Sequence, residues 1–139
     1  MTFNLKEWID KVTTSIKSIN TSITSINTIL STQPVTFVAT RSGGNSGSSM
    51  GVYFPTIKWA FISLSYNSAS NVATGTTLYT IPTGYRPKSA TVLPANVGHS
   101  NGVPYSLPGA LSINTNGTIT QNVTGYFRNC FAVGFYKVA

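Results

Sequence analysis

Side chains that could perform acid–base, nucleophilic or metal chemistry are scarce in this sequence. Residues 34–139 contain no aspartate or glutamate, one histidine (His99) and one cysteine (Cys130). Paired-carboxylate glycoside hydrolysis and a Ser-His-Asp triad both need an acid that this part of the chain lacks. One histidine forms no zinc cluster, and a calcium cage would have no carboxylates. Because the only acidic residues, Glu7 and Asp10, belong to an N-terminal helical pattern, we predict no enzyme activity, no catalytic residues, no metal site and no cofactor.

The charge of the chain is positive and uneven. The net charge is +7, and residues 34–139 hold six of the nine Lys and Arg residues and neither acidic residue, which gives this part +6. Such a charge favours anionic or neutral partners. The cations are scattered singly, without the basic run or stripe typical of nucleic-acid binding, and no apolar stretch reaches the ~18 residues of a membrane span. We therefore expect neither nucleic-acid binding nor membrane insertion.

The N-terminal part of the chain carries an aliphatic heptad repeat. The spacing between its aliphatic residues alternates between four and three from Leu5 to Leu30. Ser, Thr and Asn occupy most of the flanking positions, so the apolar stripe is narrow, as in a coiled coil. Pro34 is expected to end the helix. The predicted seam residues are Leu5, Ile9, Val12, Ile16, Ile19, Ile23, Ile26 and Leu30.

This helix is expected to be stable only when several copies assemble. Ser, Thr and Asn lower helix stability relative to Ala, and an isolated helix of this composition is marginal in water. β-branched Ile at both seam positions favours three or four strands over two. We predict a parallel homotrimer, with a tetramer as the open alternative. Phe3 and Trp8 lie off the seam and either form a hydrophobic staple at the helix start or dock onto a larger assembly.

After Pro34 the pattern changes to short β-branched and aromatic runs separated by Gly, Pro and Asn. These runs predict a β-sandwich or β-barrel head, and Asn116-Gly117 predicts a hairpin turn. The fold class is therefore expected to be mainly β with an N-terminal α-helix, arranged as a trimeric parallel coiled coil followed by the head. The predicted parts are a coiled-coil helix for trimerisation and attachment (1–33), an extended segment with a Gly/Ser-rich loop (34–51) and the β head domain (52–139).

The run "IKWAFISL" (57–64) is apolar on both faces of the predicted strand apart from Lys58. Antiparallel sheets commonly bury one face and expose the other to water. Trp59 is predicted to belong to the core, and one face of the strand is expected to pack against neighbouring subunits.

Two stretches of the sequence resemble a known family. "YTIPTGYRPKSATVLPA" (79–95) and "GALSINTNGTIT" (109–120) follow an Ile-rich heptad helix in a compact chain with a carboxylate-poor β part. Together they resemble the trimeric receptor-binding proteins in tails of phages that infect Gram-positive bacteria. The overall plan is similar to the lactococcal-phage baseplate type, although "SGGNSGSSMG" (42–51) offers no clear β-prism neck.

The resemblance implies a virion protein of the phage tail or baseplate, made in the host bacterial cytoplasm, that adsorbs to host cell-surface saccharides. Its implied partners are two further copies of the chain, a baseplate or tail protein at the helical end, and a host cell-wall polysaccharide or teichoic acid. The alternative function is a purely structural trimeric spike or a tail or capsid decoration protein without its own ligand.

If the head binds saccharides, its ligand needs aromatic faces for sugar C–H groups and Asn, His or Arg side chains for hydroxyls and phosphates. The densest such cluster outside the predicted strands lies in "NVGHSNGVPY" (96–105), and Arg128 precedes the last strand. The alternative is that the Asn and His side chains only stabilise turns. The candidate saccharide-binding residues are Asn96, His99, Asn101, Tyr105 and Arg128.

Overall fold

The computed structural model of the chain describes residues 4–44, 46–98, 107–122 and 127–139. It divides into two compact units, one ending at Gln33 and one beginning at Pro34. The first unit is a helix and the second is a curled antiparallel sheet, so the prediction of a mainly β fold with an N-terminal helix is confirmed. The elements are α1 (Leu5–Thr32), β1 (Val35–Phe37), β2 (Thr40–Arg41), β3 (Ser46–Phe54), β4 (Trp59–Val72), β5 (Thr77–Thr80), a 3-10 helix (Thr83–Tyr85), β6 (Thr91–Gly98), β7 (Leu107–Ile113), β8 (Thr118–Gln121) and β9 (Phe127–Lys137).

Helix α1 satisfies its many polar side chains locally. Asn4 caps the first turn by accepting a hydrogen bond from the Glu7 N–H at 3.2 Å. Hydroxyl groups inside the helix, such as that of Thr21, donate to the carbonyl four residues earlier. This back-bonding satisfies the hydroxyls of Ser and Thr, which are otherwise neutral or unfavourable inside helices. The helix ends at Thr32, and the extended backbone of Gln33 (ψ 144°) follows from the proline at position 34.

The sheet curls because its two edge strands are almost consecutive in the chain. The strand order is β1-β3-β4-β9-β6-β7-β8-β5-β2, so β1 and β2 lie at opposite edges. Only Val38 and Ala39 separate these two strands. A two-residue connection cannot cross a flat nine-stranded sheet, because neighbouring strands are about 4.8 Å apart. The edges must therefore approach one another, and Ala39 is buried there.

Strict alternation fills the inside of the curled sheet. In β4, Ala60, Ile62 and Leu64 are buried, whereas the residues between them are half-buried or exposed. Strand β6 repeats the pattern with buried Leu93, Ala95 and Val97. Because side chains point to opposite faces at every second position, this spacing builds one continuous core.

Within the Gly/Ser-rich stretch 42–51, where a loop was predicted, residues 46–51 belong to strand β3 (Ser46–Phe54). Ser49 Oγ donates to the Ala39 carbonyl and accepts from the Ala39 N–H, both at 2.9 Å, so this hydroxyl ties β3 to the edge connection. Gly47 lies where a Cβ would meet the Tyr79 hydroxyl at 2.5 Å. The small residues permit these close approaches, and composition alone suggested flexibility instead. Residues 34–51 thus supply β1, β2 and most of β3 to the head sheet.

The hairpin expected at Asn116-Gly117 joins β7 to β8, which pair with Ile113 opposite Ile119. Gly117 has a positive φ of 89°, and its N–H donates to the Asn114 carbonyl at 2.8 Å. Asn116 Oδ1 accepts from the Thr118 N–H at 3.0 Å. The turn therefore uses the left-handed glycine that the sequence signals.

Candidate functional site

An exposed apolar surface covers three adjacent strands of the head. Phe61 on β4 lies opposite Val52 on β3 and Phe135 on β9, and the rings of Phe61 and Phe135 are 5.1 Å apart. Phe135 exposes 58% of its surface. All the side chains concerned point away from the core. We call this surface the outer face, and its members are Met50, Val52, Trp59, Phe61, Val133 and Phe135.

Trp59 lies on the outer face and not in the core. It is 40% exposed, so the prediction from the sequence was wrong. The core side of β4 begins at Ala60, and the strand alternation places Trp59 on the other side. Together with Phe54, Ile57 and Phe135 it lines an open apolar cavity of about 280 Å³. The local run is apolar on both faces, and hydrophobicity alone did not distinguish them.

The outer face has two ends, which the strand register defines. At one end Val35, the first residue of β1, pairs with Tyr53, so the chain enters the head here; we call this the entry end. At the other, the far end, Ser46 pairs with Asn67 and Gly98 pairs with Asn129. Along β4 the two ends are eight residues apart, or about 26 Å at ~3.3 Å per residue.

The described members of the predicted saccharide site lie at the far end. Asn96 is exposed and pairs with Phe131, and Arg128 is half-buried on the neighbouring strand β9. Strand β6 ends at Gly98. His99, Asn101 and Tyr105 lie outside the described residues, as does Phe3 of the helix start. The structure thus brings Asn96 and Arg128 to the same end of two paired strands.

Arg128 has a partner that the sequence did not indicate. Its Nε donates to Asn71 Oδ1 at 3.1 Å, across 57 positions of sequence. Asn71 is exposed in the last part of β4. This hydrogen bond orients the guanidinium group. No local spacing pattern signals a pair this distant in the chain.

The outer face becomes polar towards the far end. Ser48 and Ser65, which are paired in the register, have hydroxyl oxygens 3.1 Å apart. Phe131 lies opposite Ser65 on one side and Asn96 on the other, and is 40% exposed. Hydroxyl, amide and aromatic groups therefore adjoin one another at this end, which is the combination that sugar hydroxyls and C–H faces contact.

Four of the six cations of the head belong to segments at the entry end. The Val138 N–H donates to the Lys58 carbonyl and the Lys88 N–H donates to the Lys137 carbonyl, each at 2.8 Å. The Ala139 N–H donates to the Arg86 carbonyl at 3.0 Å. Lys58 precedes Trp59 in the chain and Lys137 pairs with Trp59, so both lie at the entry end of the outer face, while Arg128 lies at the far end.

The buried ionisable groups of the head are held neutral. Burial raises the pKa of the Cys130 thiol to about 12 and that of Tyr79 to about 12. Burial also raises the pKa of Tyr136. A thiol in this environment has negligible thiolate at neutral pH and is a poor nucleophile. Cys130 therefore acts as a small buried apolar residue.

The seam residues of α1 are all exposed in the single chain. Their exposed fractions run from 36% for Val12 to 63% for Leu30, and no described residue of α1 is buried.

In the described residues no helix is long and apolar enough to cross a membrane. Likewise, no group of three or more His, Cys, Asp or Glu side chains in the described part of the chain could hold a metal ion. No known protein family and no curated protein matches this chain in sequence.

Proposed function

We propose that this chain is a homotrimeric receptor-binding protein of a phage tail or baseplate that adsorbs to saccharides on the host cell surface. In this proposal α1 forms a trimeric parallel coiled coil, and the curled sheet forms a barrel-like head. The helical end attaches to a baseplate or tail protein. The observation that carries the proposal is an exposed aliphatic heptad seam joined, within two residues, to a carboxylate-free β head.

The seam supports self-assembly through its composition and exposure. Burial of a half-exposed aliphatic side chain contributes roughly 1 kcal/mol, so eight such residues per chain outweigh the low helix propensity of Ser, Thr and Asn. Because the repeat is identical in every copy, parallel in-register packing matches each seam residue with its own counterpart, which is Ile with Ile at five of the eight layers. A trimer places three heads at one end of the coiled coil, and three weak sites acting together bind a repetitive polymer far more tightly than one.

The far end of the outer face supports the choice of ligand. Asn96 and Phe131 pair directly and place an amide beside an aromatic ring, and Arg128, with an oriented guanidinium group, lies three residues before Phe131 at the same end of β9. A guanidinium group forms charge-assisted hydrogen bonds with phosphates. With a net charge of +6 and no carboxylate, the head attracts anionic polymers over longer distances as well. Teichoic acids and phosphorylated cell-wall polysaccharides fit these properties.

The test is binding of the fluorescently labelled full chain to cell walls from a panel of Gram-positive bacteria. Each wall is assayed intact and after chemical removal of teichoic acid and phosphorylated polysaccharide. We expect saturable binding to a subset of walls, lost when these polymers are removed. Absence of binding to every wall, or binding that survives the removal, would contradict the proposal.

A structural trimeric spike is the second candidate function, and the outer face favours it because an apolar surface can also pack within an assembly. The two functions differ in one measurement. Added free protein should block adsorption of the phage to its host if the head binds the receptor. A spike without a ligand should leave adsorption unchanged.

A further inference from the structure

We infer that the outer face of the head is a packing surface for the heads of sister copies of the same chain. The inference rests on the proposed homotrimer and adds to it the surface through which the heads meet. The partner is a second copy rather than a different protein, and the described side chains of Met50, Val52, Trp59, Phe61, Val133 and Phe135 form the contact.

The first argument is the extent of the apolar surface. Met50, Trp59, Val133 and Phe135 are exposed by 37 to 58%, on three strands that are hydrogen-bonded to one another. Single exposed apolar residues are ordinary, whereas a contiguous patch of aromatic and aliphatic side chains marks an interaction site. The cavity beside Trp59 adds a recess of about 280 Å³ that an apolar side chain of another copy can enter.

The second argument is charge. The head carries six cations and no acidic residue, so a surface that packs against its own copy is favoured where cations are few. Like charges brought together at an interface cost several kcal/mol, which disfavours the cation-bearing parts of the head as self-packing surfaces. The named members of the outer face are uncharged. Lys137 pairs with Trp59 and so lies on the same side of the sheet, but at the last position of β9, where its side chain can point past the entry end into water.

The third argument is the short connection to the seam. Helix α1 ends at Thr32 and β1 begins at Val35, so Gln33 and Pro34 alone connect them. In a parallel trimer the three copies of Thr32 lie beside a common axis, and the three peptide units from Thr32 to Val35 span at most about 11 Å. The entry end of each head must therefore start close to the entry ends of its sisters. The outer face begins at that end, where Trp59 pairs with Phe54.

The tether also explains why a modest surface is sufficient. The coiled coil holds the heads at a high effective concentration, in the millimolar range for short linkers, so the face need not be as large as the interface of a free dimer. Packing of the heads then leaves the far end, with Asn96 and Arg128, available for ligand. The entry end of the head would then serve packing between copies, and the far end would serve ligand binding.

The test uses the accessibility of Trp59 in the full chain. Trp8 is replaced by Phe, so that Trp59 is the remaining tryptophan, and acrylamide quenching is measured in this background. A second protein carries Ile16→Glu and Ile23→Glu in the seam to separate the copies. We expect quenching of Trp59 to be at least threefold weaker in the assembled protein than in the separated one. Equal quenching in both would overturn the inference.

A second variant keeps the test decisive if separated heads do not fold. Phe135→Lys leaves the seam intact and places cations opposite one another in the outer face, whereas Thr115→Lys adds the same charge in the exposed β7–β8 turn. We expect Phe135→Lys alone to raise Trp59 quenching towards that of an exposed indole while the mass stays that of the assembly. If the two variants quench alike, the heads do not pack through this face.

Failure of this inference is distinguishable from failure of the proposed function. A trimer that binds cell walls while Trp59 is fully open to acrylamide contradicts the packing surface but still supports the proposed adsorption function. If Trp59 is open in the trimer and becomes protected on adding purified teichoic acid, the outer face is a ligand site and the inference is wrong. A protected Trp59 in a protein that binds no wall supports the packing surface alone.

Discussion

Phe37 and Gly51 lie opposite one another on β1 and β3, and the Phe37 ring occupies the space that a side chain at Gly51 would need. On its other side the ring stacks on Tyr85, with centroids 4.6 Å apart and planes 7° from parallel. Phe37 is 94% buried although it belongs to a three-residue edge strand. The missing side chain at position 51 is therefore what lets this short strand bury its aromatic anchor.

Replacement Gly51→Ala should destabilise the head by about 2 to 3 kcal/mol, because a Cβ would overlap the Phe37 ring and force β1 away from β3. The matched control is Gly84→Ala, where nothing lies within 4 Å of the added atom, and there the change should stay within about 0.5 kcal/mol. Urea unfolding of both variants measures the difference. Equal stability of the two would show that β1 adjusts without cost.

The strands could be predicted from the sequence because alternation and turn residues are local signals. β9 and the β7–β8 hairpin follow directly from runs such as "NCFAVGFYKVA" and from Asn116-Gly117. The strand in the Gly/Ser-rich stretch could not be predicted in this way, because it depends on contacts with Phe37, Ala39 and Tyr79, which lie elsewhere in the chain. Local composition carries no information about neighbours that arrive through the sheet topology.

The candidate site was predictable only in part, for the same reason. Asn96 and Arg128 were selected by residue type, and the register of β6 with β9 brings them to one end. The bond from Arg128 to Asn71 depends on how β4 and β9 meet, and no spacing rule encodes it. Trp59 was assigned to the core because a run that is apolar on both faces does not reveal which face is covered.

The seam should control assembly of the chain. The double replacement Ile16→Glu and Ile23→Glu places charges in the seam while substituting a better helix former, so loss of assembly cannot come from helix propensity. By light scattering, the wild type should have three times the 14.8 kDa of one chain, and the variant should have the mass of one chain. The control, Thr14→Glu with Thr21→Glu, adds the same charges one heptad apart outside the seam and should keep the wild-type mass. A wild type of 14.8 kDa at micromolar concentration would contradict the trimer.

Arg128 should contribute to ligand binding beyond its charge. Replacement Arg128→Gln should weaken cell-wall binding about tenfold or more, since a charge-assisted hydrogen bond is worth about 1.5 to 3 kcal/mol and three heads bind together. Lys88→Gln removes one exposed cation from a segment at the entry end, so it controls for the loss of net charge. Binding isotherms of the wild type, Arg128→Gln and Lys88→Gln at matched ionic strength measure the two losses of affinity. If both variants lose the same affinity, the attraction is general electrostatics and not a site at the far end.

Alkaline pH should destabilise the head from about pH 9 upward. Burial raises the pKa of Cys130 from 9.0 to about 12, and that of Tyr79 from 10.0 to about 12, so the unfolded chain releases these protons at lower pH than the folded one. Between these values the unfolded state binds fewer protons, and stability falls with rising pH, by at most about 1.4 kcal/mol per pH unit for each group. The contribution is complete below pH 9 and is lost as the pH approaches 12. Urea unfolding at pH 8, 9, 10 and 11 measures this slope. The variant Cys130→Val should flatten the slope between pH 9 and 10, because Tyr79 begins to contribute only above that range.

The Cys130 thiol should react with a disulfide reagent at pH 8 only after the protein is unfolded. Rapid reaction of the folded protein, or an unchanged slope in Cys130→Val, would mean that the interior around Cys130 is open to water.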